Sequence, residues 1–409
     1  MLPGLSPEMQ LLCLLGRPRL SARGHEQALL LARQRIDWPR LVQHASFHGV
    51  TAFVQRQVES VLADEAPAQI RRDMRAYAHA DALKAECMAD ELVRVLTALG
   101  QAGVCAVPFK GPVLAQRLWG DERMGCYNDL DLILHPADFR RAAACLMQLG
   151  YKLENARLDE LMTQRNWSRM LYLGRTHEMG FWLRLDMQPL YLPNWCGWPA
   201  RARGAWSQLV TARFRGIEFP SLSDDWYLLF LGIHTITHMF SRLYWVAGFQ
   251  DLLDACPAIW PKALALAKKV GAGHELQLAK RACAAILDEA LAPRGADTPI
   301  LLQLAEAPYR DDSGITIDFL LAFRLRPGLQ AKASYALSVL VAPRPSDLAA
   351  LPLPRILAPG RLILRPVRLV LRYLVGPLWR HAQAFLRLRR APQPCEIQTL
   401  PRDDRIESS

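Results

Sequence analysis

Asp129 and Asp131, separated by one residue in NDLDLIL, are the side chains in this sequence best suited to hold a cation together. In a strand, alternate residues face the same way, so these two carboxylates share one face while Leu130 and Leu132 take the other. At roughly 7 Å between Cα atoms, by the rise of a strand, the pair can share two divalent cations, the layout that two-metal phosphoryl chemistry needs. Upstream, in VCAVPFKGPVLAQRLWG, Lys110 and Gly111 sit where a short β run gives way to a helix predicted from Val113 to Trp119. Gly111 lets backbone approach a ligand closely, Pro112 suits a first helical turn, and the open amides of a helix start attract phosphate. A strand-glycine-helix junction is common by itself. Antiparallel pairing of the two strands would set it beside the aspartates and make it specific.

Three further groups bear chemistry. Strand signals run from about Met179 to Met187, where Leu183, Leu185 and Met187 alternate with Trp182, Arg184 and Asp186. Asp186 reads either as a surface-strand aspartate or as a third metal carboxylate delivered from a neighbouring strand. In LLFLGIHTITHMFSRLYWVAGFQDLL, His234 and His238 are one helical turn apart, and Arg242 is expected to continue that face one turn further. Thr235 stands where H-E-x-x-H would have its glutamate, which disfavours zinc. The stripe is then either packed imidazoles in a core or the wall of a substrate cleft. His44 and His48 share the i, i+4 spacing but have no third ligand nearby, and read as packed or surface residues.

The elements that must position these groups are mainly helical. One set is expected between Gly24 and Gln57, with Asp37 as an N-cap ahead of Pro39. A second helix is expected from Pro67 to Leu99 with Gly100 as its stop. Another follows DLDLIL and stops at Gly150, and a mostly buried helical pair spans Asp224 to Ala255. From Pro257 to Ala342 the composition is Ala/Leu-rich and helical, before a proline-rich linker.

With 409 residues and 51% apolar composition, two or three domains with real cores are expected. Nine scattered cysteines without a C-x-x-C pair argue against a disulfide framework or a zinc site and place the chain in a reducing cytosol. No basic region precedes the short apolar run near Met1, so no signal peptide is expected, and no apolar stretch of about 20 residues suggests a membrane span. The net charge of +11 is concentrated late, since Leu348 to Cys395 holds no Asp or Glu. The rest is close to neutral and is no evident nucleic-acid binder. Arg361, Arg365, Arg368 and Arg372 fall on one face of a helix, opposite leucines and Val370. Residues 355–390 could thus lie on an anionic membrane surface, at the inner face of the membrane; a helix packed on the body and a partly disordered tail are the rival readings.

Taken together, IDWPRLVQHASFHGV, FKGPVLAQRLWGD, NDLDLIL with its helix to LGY, the strand pair ending near Asp186, and LLFLGIHTITHMFSRLYWVAGFQDLL resemble an uncharacterised bacterial nucleotidyltransferase family of the DNA polymerase β-like superfamily. The resemblance implies an α+β fold, a minimal nucleotidyltransferase mixed sheet flanked by helices, with N- and C-terminal helical regions. It divides the chain into an N-terminal helical region (1–100), a nucleotidyltransferase core (101–220), a C-terminal helical region (221–342), and the linker with its basic tail (343–409). It implies an NTP substrate and two Mg²⁺ ions held by Asp129, Asp131 and Asp186. Lys110 and Gly111 would meet the nucleotide phosphates, with Arg123 offsetting their charge, and His234, His238 and Arg242 would line the nucleotide cleft. The acceptor of the nucleoside monophosphate, whether a sugar, a glycan, a protein or a nucleic acid, is left open. A catalytically degenerate member acting as a binding or regulatory protein, possibly at a membrane in polysaccharide biosynthesis, is the alternative.

Overall fold

A computed structural model describes residues 5–154, 171–190, 199–238, 240–287, 323, 328–341, 364 and 366–367. Twelve helices, a five-stranded mixed sheet and a two-stranded sheet are seen among them, an α+β architecture consistent with a nucleotidyltransferase fold. The chain divides into two compact units, Met1–Ser338 and Val339–Ser409. The basic face of the tail, Arg361 to Arg372, lies outside the described residues. No helix among the described residues is long and apolar enough to cross a membrane.

The short apolar run near the start folds as a helix, α1 (Pro7–Leu15), with Ser6 accepting from the Met9 amide at its N-terminus. Met9, Leu11, Leu12 and Leu15 are fully buried, so the run is core material. Helices α2 (Ala22–Ala32), α3 (Trp38–Phe47) and α4 (Thr51–Val61) follow. As expected, Asp37 caps α3, its carboxylate accepting from the Arg40 amide at 3.1 Å. The long α5 (Ala68–Gln101) runs past Gly100 instead of stopping there. Its end is set by Gly103, at φ +67°, where Val104 N–H bonds Leu99 C=O and Gly103 N–H bonds Gly100 C=O. That pair of bonds needs a left-handed residue just past the C-cap, a conformation Gly103 adopts and Gly100 does not.

The sheet contains β1 (Ala106–Phe109), β2 (Asp129–Leu134), β3 (Lys152–Leu153), β4 (Leu171–Thr176) and β5 (Trp182–Pro189), in the order β1-β2-β5-β4-β3. Only the central pair, β2 and β5, is parallel; the others are antiparallel. Leu132, Leu183, Leu185 and Met187 are completely buried on one face of the sheet, which forces Asp129, Asp131 and Asp186 onto the other. Between β1 and β2 lies α6 (Gly111–Trp119); after β2 comes α7 (Phe139–Gln148). A hairpin of β6 (Val210–Phe214) and β7 (Ile217–Ser221) leads to α8 (Asp224–Thr237), α9 (Leu243–Ala255), α10 (Ile259–Val270) and α11 (Gly273–Ile286). The last described helix is α12 (Gly328–Val341).

Two polar ties join the N-terminal helices to the later ones. Arg17 pairs with Asp251 and Asp254 of α9, and the Trp119 indole donates to the same Asp251. His48 is fully buried, and its Nδ1 accepts from the Leu243 amide while its carbonyl accepts from Tyr244. It is therefore a packed histidine that caps the start of α9. No disulfide joins the described cysteines.

Candidate active site

The β1–α6 junction and the aspartates of β2 meet as antiparallel pairing requires, with Phe109 opposite Asp131. Lys110 then turns the chain at φ 64°, ψ −149° and Gly111 follows at φ +57°. The Lys110 conformation is one that side-chain-bearing residues rarely adopt, and holding it costs on the order of 1–3 kcal/mol. Two contacts over-determine it: the Lys110 amide donates to the Tyr227 hydroxyl at 3.0 Å, and its ammonium lies 2.8 Å from Asp131 Oδ2. Space above Gly111 is open, since a Cβ built there would meet nothing within 4 Å. Pro112 brings no amide to the first turn of α6, so the Gly111 and Val113 N–H groups are the donors at this corner.

Asp186 lies directly beside Asp131 across the parallel β2–β5 pair, and Asp129 is beside Arg184. The three carboxylates therefore occupy one face over two adjacent strands. Asp186 and Asp131 are buried and Asp129 is half-buried. Burial, reinforced by the charges of Asp129 and Asp131 and only partly offset by Arg184, pushes the Asp186 carboxyl up to about 7. Asp131 is also raised, first by burial and then by Asp129, against the pull of Lys110. Negative charge is thus concentrated here beyond what the chain's own cations compensate.

Those cations are nevertheless in place. Lys110 holds Asp131 Oδ2, Gln188 Nε2 donates to Asp131 Oδ1 at 3.1 Å, and Arg184 Nε donates to Asp186 Oδ1 at 2.8 Å. Arg184 in turn lies over the Tyr172 ring, with its guanidinium carbon 4.2 Å from the centroid. Among the described residues, no three His, Cys, Asp or Glu side chains converge closely enough to hold a metal ion as they stand. Two of the three aspartates are each turned toward a cation of the chain itself. As a donor set, three carboxylates with excess negative charge on one strand face still fit a hard, oxygen-seeking cation such as Mg²⁺.

The histidine stripe reaches the same place from α8. His234 Nε2 is 3.2 Å from the Lys110 ammonium, and its ring lies edge-on to Phe109 and Trp245. Burial, then the Lys110 charge, drives the His234 pKa well below the ordinary imidazole value, so a neutral ring offers its lone pair to the ammonium. The His238 ring is tilted against both neighbours, 4.4 Å from His234 and 4.7 Å from Trp245 between ring centroids. Though its edge is exposed, crowding by protein and the Lys110 charge push its pKa down as well. Arg242 does not continue this helix, because α8 ends at Thr237 and Phe240 takes a positive φ of 56°. It stands at the N-cap of α9, with its guanidinium between the rings of Phe47 and Trp245. Arg123 is exposed in the turn before β2, where Asp121 engages its guanidinium with both carboxylate oxygens. The cation found beside the carboxylates is instead Arg184.

Arg184, Gln188, Tyr227 and Trp245 are the site residues that the sequence reading passed over. Arg184 and Gln188 flank Asp186 at i−2 and i+2 on one strand face, which is a usable signal. Tyr227 and Trp245 arrive from elements more than a hundred residues away from Lys110 and carry no local mark.

Neither a search of curated proteins nor one of solved structures gave a match. A family model described as uncharacterised nucleotidyltransferase matches residues 34–288, which include α3 through α11 and every residue of the site. With more than half its length covered by that match, the chain belongs to this nucleotidyltransferase family.

Proposed function

We propose that this protein transfers a nucleoside monophosphate from an NTP to a hydroxyl acceptor, with Mg²⁺ held by Asp129, Asp131 and Asp186. The observation that carries the reading is the register of Asp131 with Asp186 on adjacent strands, with Lys110 and the open Gly111 corner beside them. When bound, the two cations would activate the acceptor hydroxyl and offset the charge of the departing pyrophosphate.

The chain's own residues supply the rest. Lys110, a compact charge on a strained turn, faces the place where phosphate can reach the Gly111 and Val113 amides. Tyr227 and the neutral His234 hold that lysine in position. His234 and His238 at the end of α8 pack against Trp245 of α9 and would wall the cleft there, with Arg242 at the start of α9 beside them. The acceptor would be a sugar, a glycan, a protein hydroxyl or a nucleic-acid end. Incubating the protein with Mg²⁺ and each labelled NTP in a lysate of its host, beside the Asp129→Asn, Asp131→Asn double variant, tests the reading. Label should enter one acceptor class with the native protein only, and equal labelling by the double variant would refute the assignment.

A second reading has its own support. The Lys110–Asp131 and Arg184–Asp186 pairs show that the chain can neutralise two of its carboxylates unaided, as a nucleotidyltransferase fold kept for binding or regulation would. Calorimetry with each NTP separates the two, since such a scaffold should show no gain in affinity on adding Mg²⁺.

A further inference from the structure

We infer that Lys110 is a tethered counter-ion that occupies part of the cation site until a nucleotide draws it away, so that metal and nucleotide load together. This rests on the transferase reading of the same site and adds an order of events to it.

The buried Lys110–Asp131 pair has both side chains less than a tenth exposed, and at 2.8 Å the ammonium sits on one of the oxygens a divalent cation would need. Gln188 takes the other Asp131 oxygen, and Arg184 takes Oδ1 of Asp186. Of the three carboxylates, only Asp129 has no hydrogen bond or ion pair with its side chain among the described residues. A single half-buried aspartate is a poor site for a hard cation, which prefers several oxygens.

The same lysine lies where the phosphates would arrive. Its backbone forms the left-handed corner beside the open face of Gly111, and its ammonium also faces His234 and the ring of Trp245. A triphosphate at the Gly111 corner offers the ammonium several anionic oxygens. As Lys110 turns to them, Asp131 loses its partner and becomes a buried, uncompensated anion, which a divalent cation relieves. Coupling of this kind is reciprocal, so each ligand raises the affinity of the other by the same factor.

The test uses the full chain and Mn²⁺ as a paramagnetic stand-in, with free ion counted by electron spin resonance and no activity measured. Native protein should bind Mn²⁺ weakly without nucleotide, whereas Lys110→Met should bind it at least about tenfold more tightly, within the usual range of site couplings. Lys110→Gly provides the second variant, because glycine suits the positive φ and guards against loss of the fold. In both variants Mn²⁺ should raise the melting temperature more than in the native protein. Tight Mn²⁺ binding by the native protein alone, or no gain in either folded variant, would overturn the inference. Failure of all three proteins to bind an NTP with Mn²⁺ would instead refute the transferase reading, and it is read from a separate titration.

Discussion

Glu91 of α5 and the Asp131/Asp186 pair are buried carboxylates in one fold, and their surroundings are opposite. Glu91 accepts from Arg94, from Arg175 of β4 and from the Tyr151 hydroxyl, so two guanidinium groups and a phenol share its two oxygens. Burial works to raise its pKa, but these partners outweigh it and hold the carboxyl below its ordinary value. Asp131 and Asp186 have one cation each and stand beside one another and Asp129, and both are raised. A carboxylate whose partners complete it fastens α5 to the sheet. One left short of partners is poised for something from outside.

Breaking the unsatisfied set should cost activity without costing the fold. Asp129→Asn removes the carboxylate that has no ion pair among the described residues. Nucleotide transfer should fall by at least about a hundredfold, the scale of losing one preorganised electrostatic group. The melting curve should be unchanged, and an equal loss of both would move Asp129 to the structural side of the comparison.

Breaking the satisfied set should do the reverse. Glu91→Gln leaves two arginines around a neutral amide, and removing one partner of a buried pair costs about 3–5 kcal/mol. The lower end, about 3 kcal/mol, is expected because the Arg94 side chain is 39% exposed and can turn to water. Urea unfolding measures this, and Mg²⁺-dependent nucleotide binding should persist in the fraction that remains folded.

The two sets should also answer pH with opposite signs. The Glu91 pKa is lowered, so its contribution is present above the unfolded carboxyl value and is lost as pH falls below it. The Asp186 pKa is raised to about 7, so between the unfolded value of 3.8 and 7 the folded chain binds more protons than the unfolded one. Stability from that group therefore declines as pH rises across this window. Thermal melts without metal should show stability lost progressively between pH 3.8 and 7, a loss that Mg²⁺ reverses and that Asp186→Asn abolishes.

The smallest effect tests the scaffold of the lysine. Tyr227→Phe removes the acceptor of the Lys110 amide and relaxes the strained turn. A single neutral hydrogen bond is worth about 1 kcal/mol, so kcat/KM should fall about fivefold. An unchanged value would mean that the Asp131 ion pair alone holds the turn.

Much of this site could be read along the chain because its key relations are local. Period-two spacing fixed Asp129 with Asp131, and a strand run into Lys110-Gly111-Pro112 gave a turn and a helix start. The Asp37 cap was legible for the same reason, as a side chain acts on an amide three residues on. The local pattern misled at the end of α5, where Gly100 was the expected stop and the bonds past the C-cap place it at Gly103. The extension of the histidine stripe to Arg242 failed because the chain breaks at Phe240 between two helices that each bury most of their surface.

What the sequence alone determined is therefore the list of parts and their chemistry: acidic strand, lysine-glycine turn, histidine helix, and the family they mark. Whether Asp186 stood beside Asp131, and that Lys110 and Arg184 rather than Arg123 would face the carboxylates, depended on strand order and register. Those are set by how buried leucines on the far side of the sheet pack against helices distant in sequence, and no short stretch of residues encodes that packing.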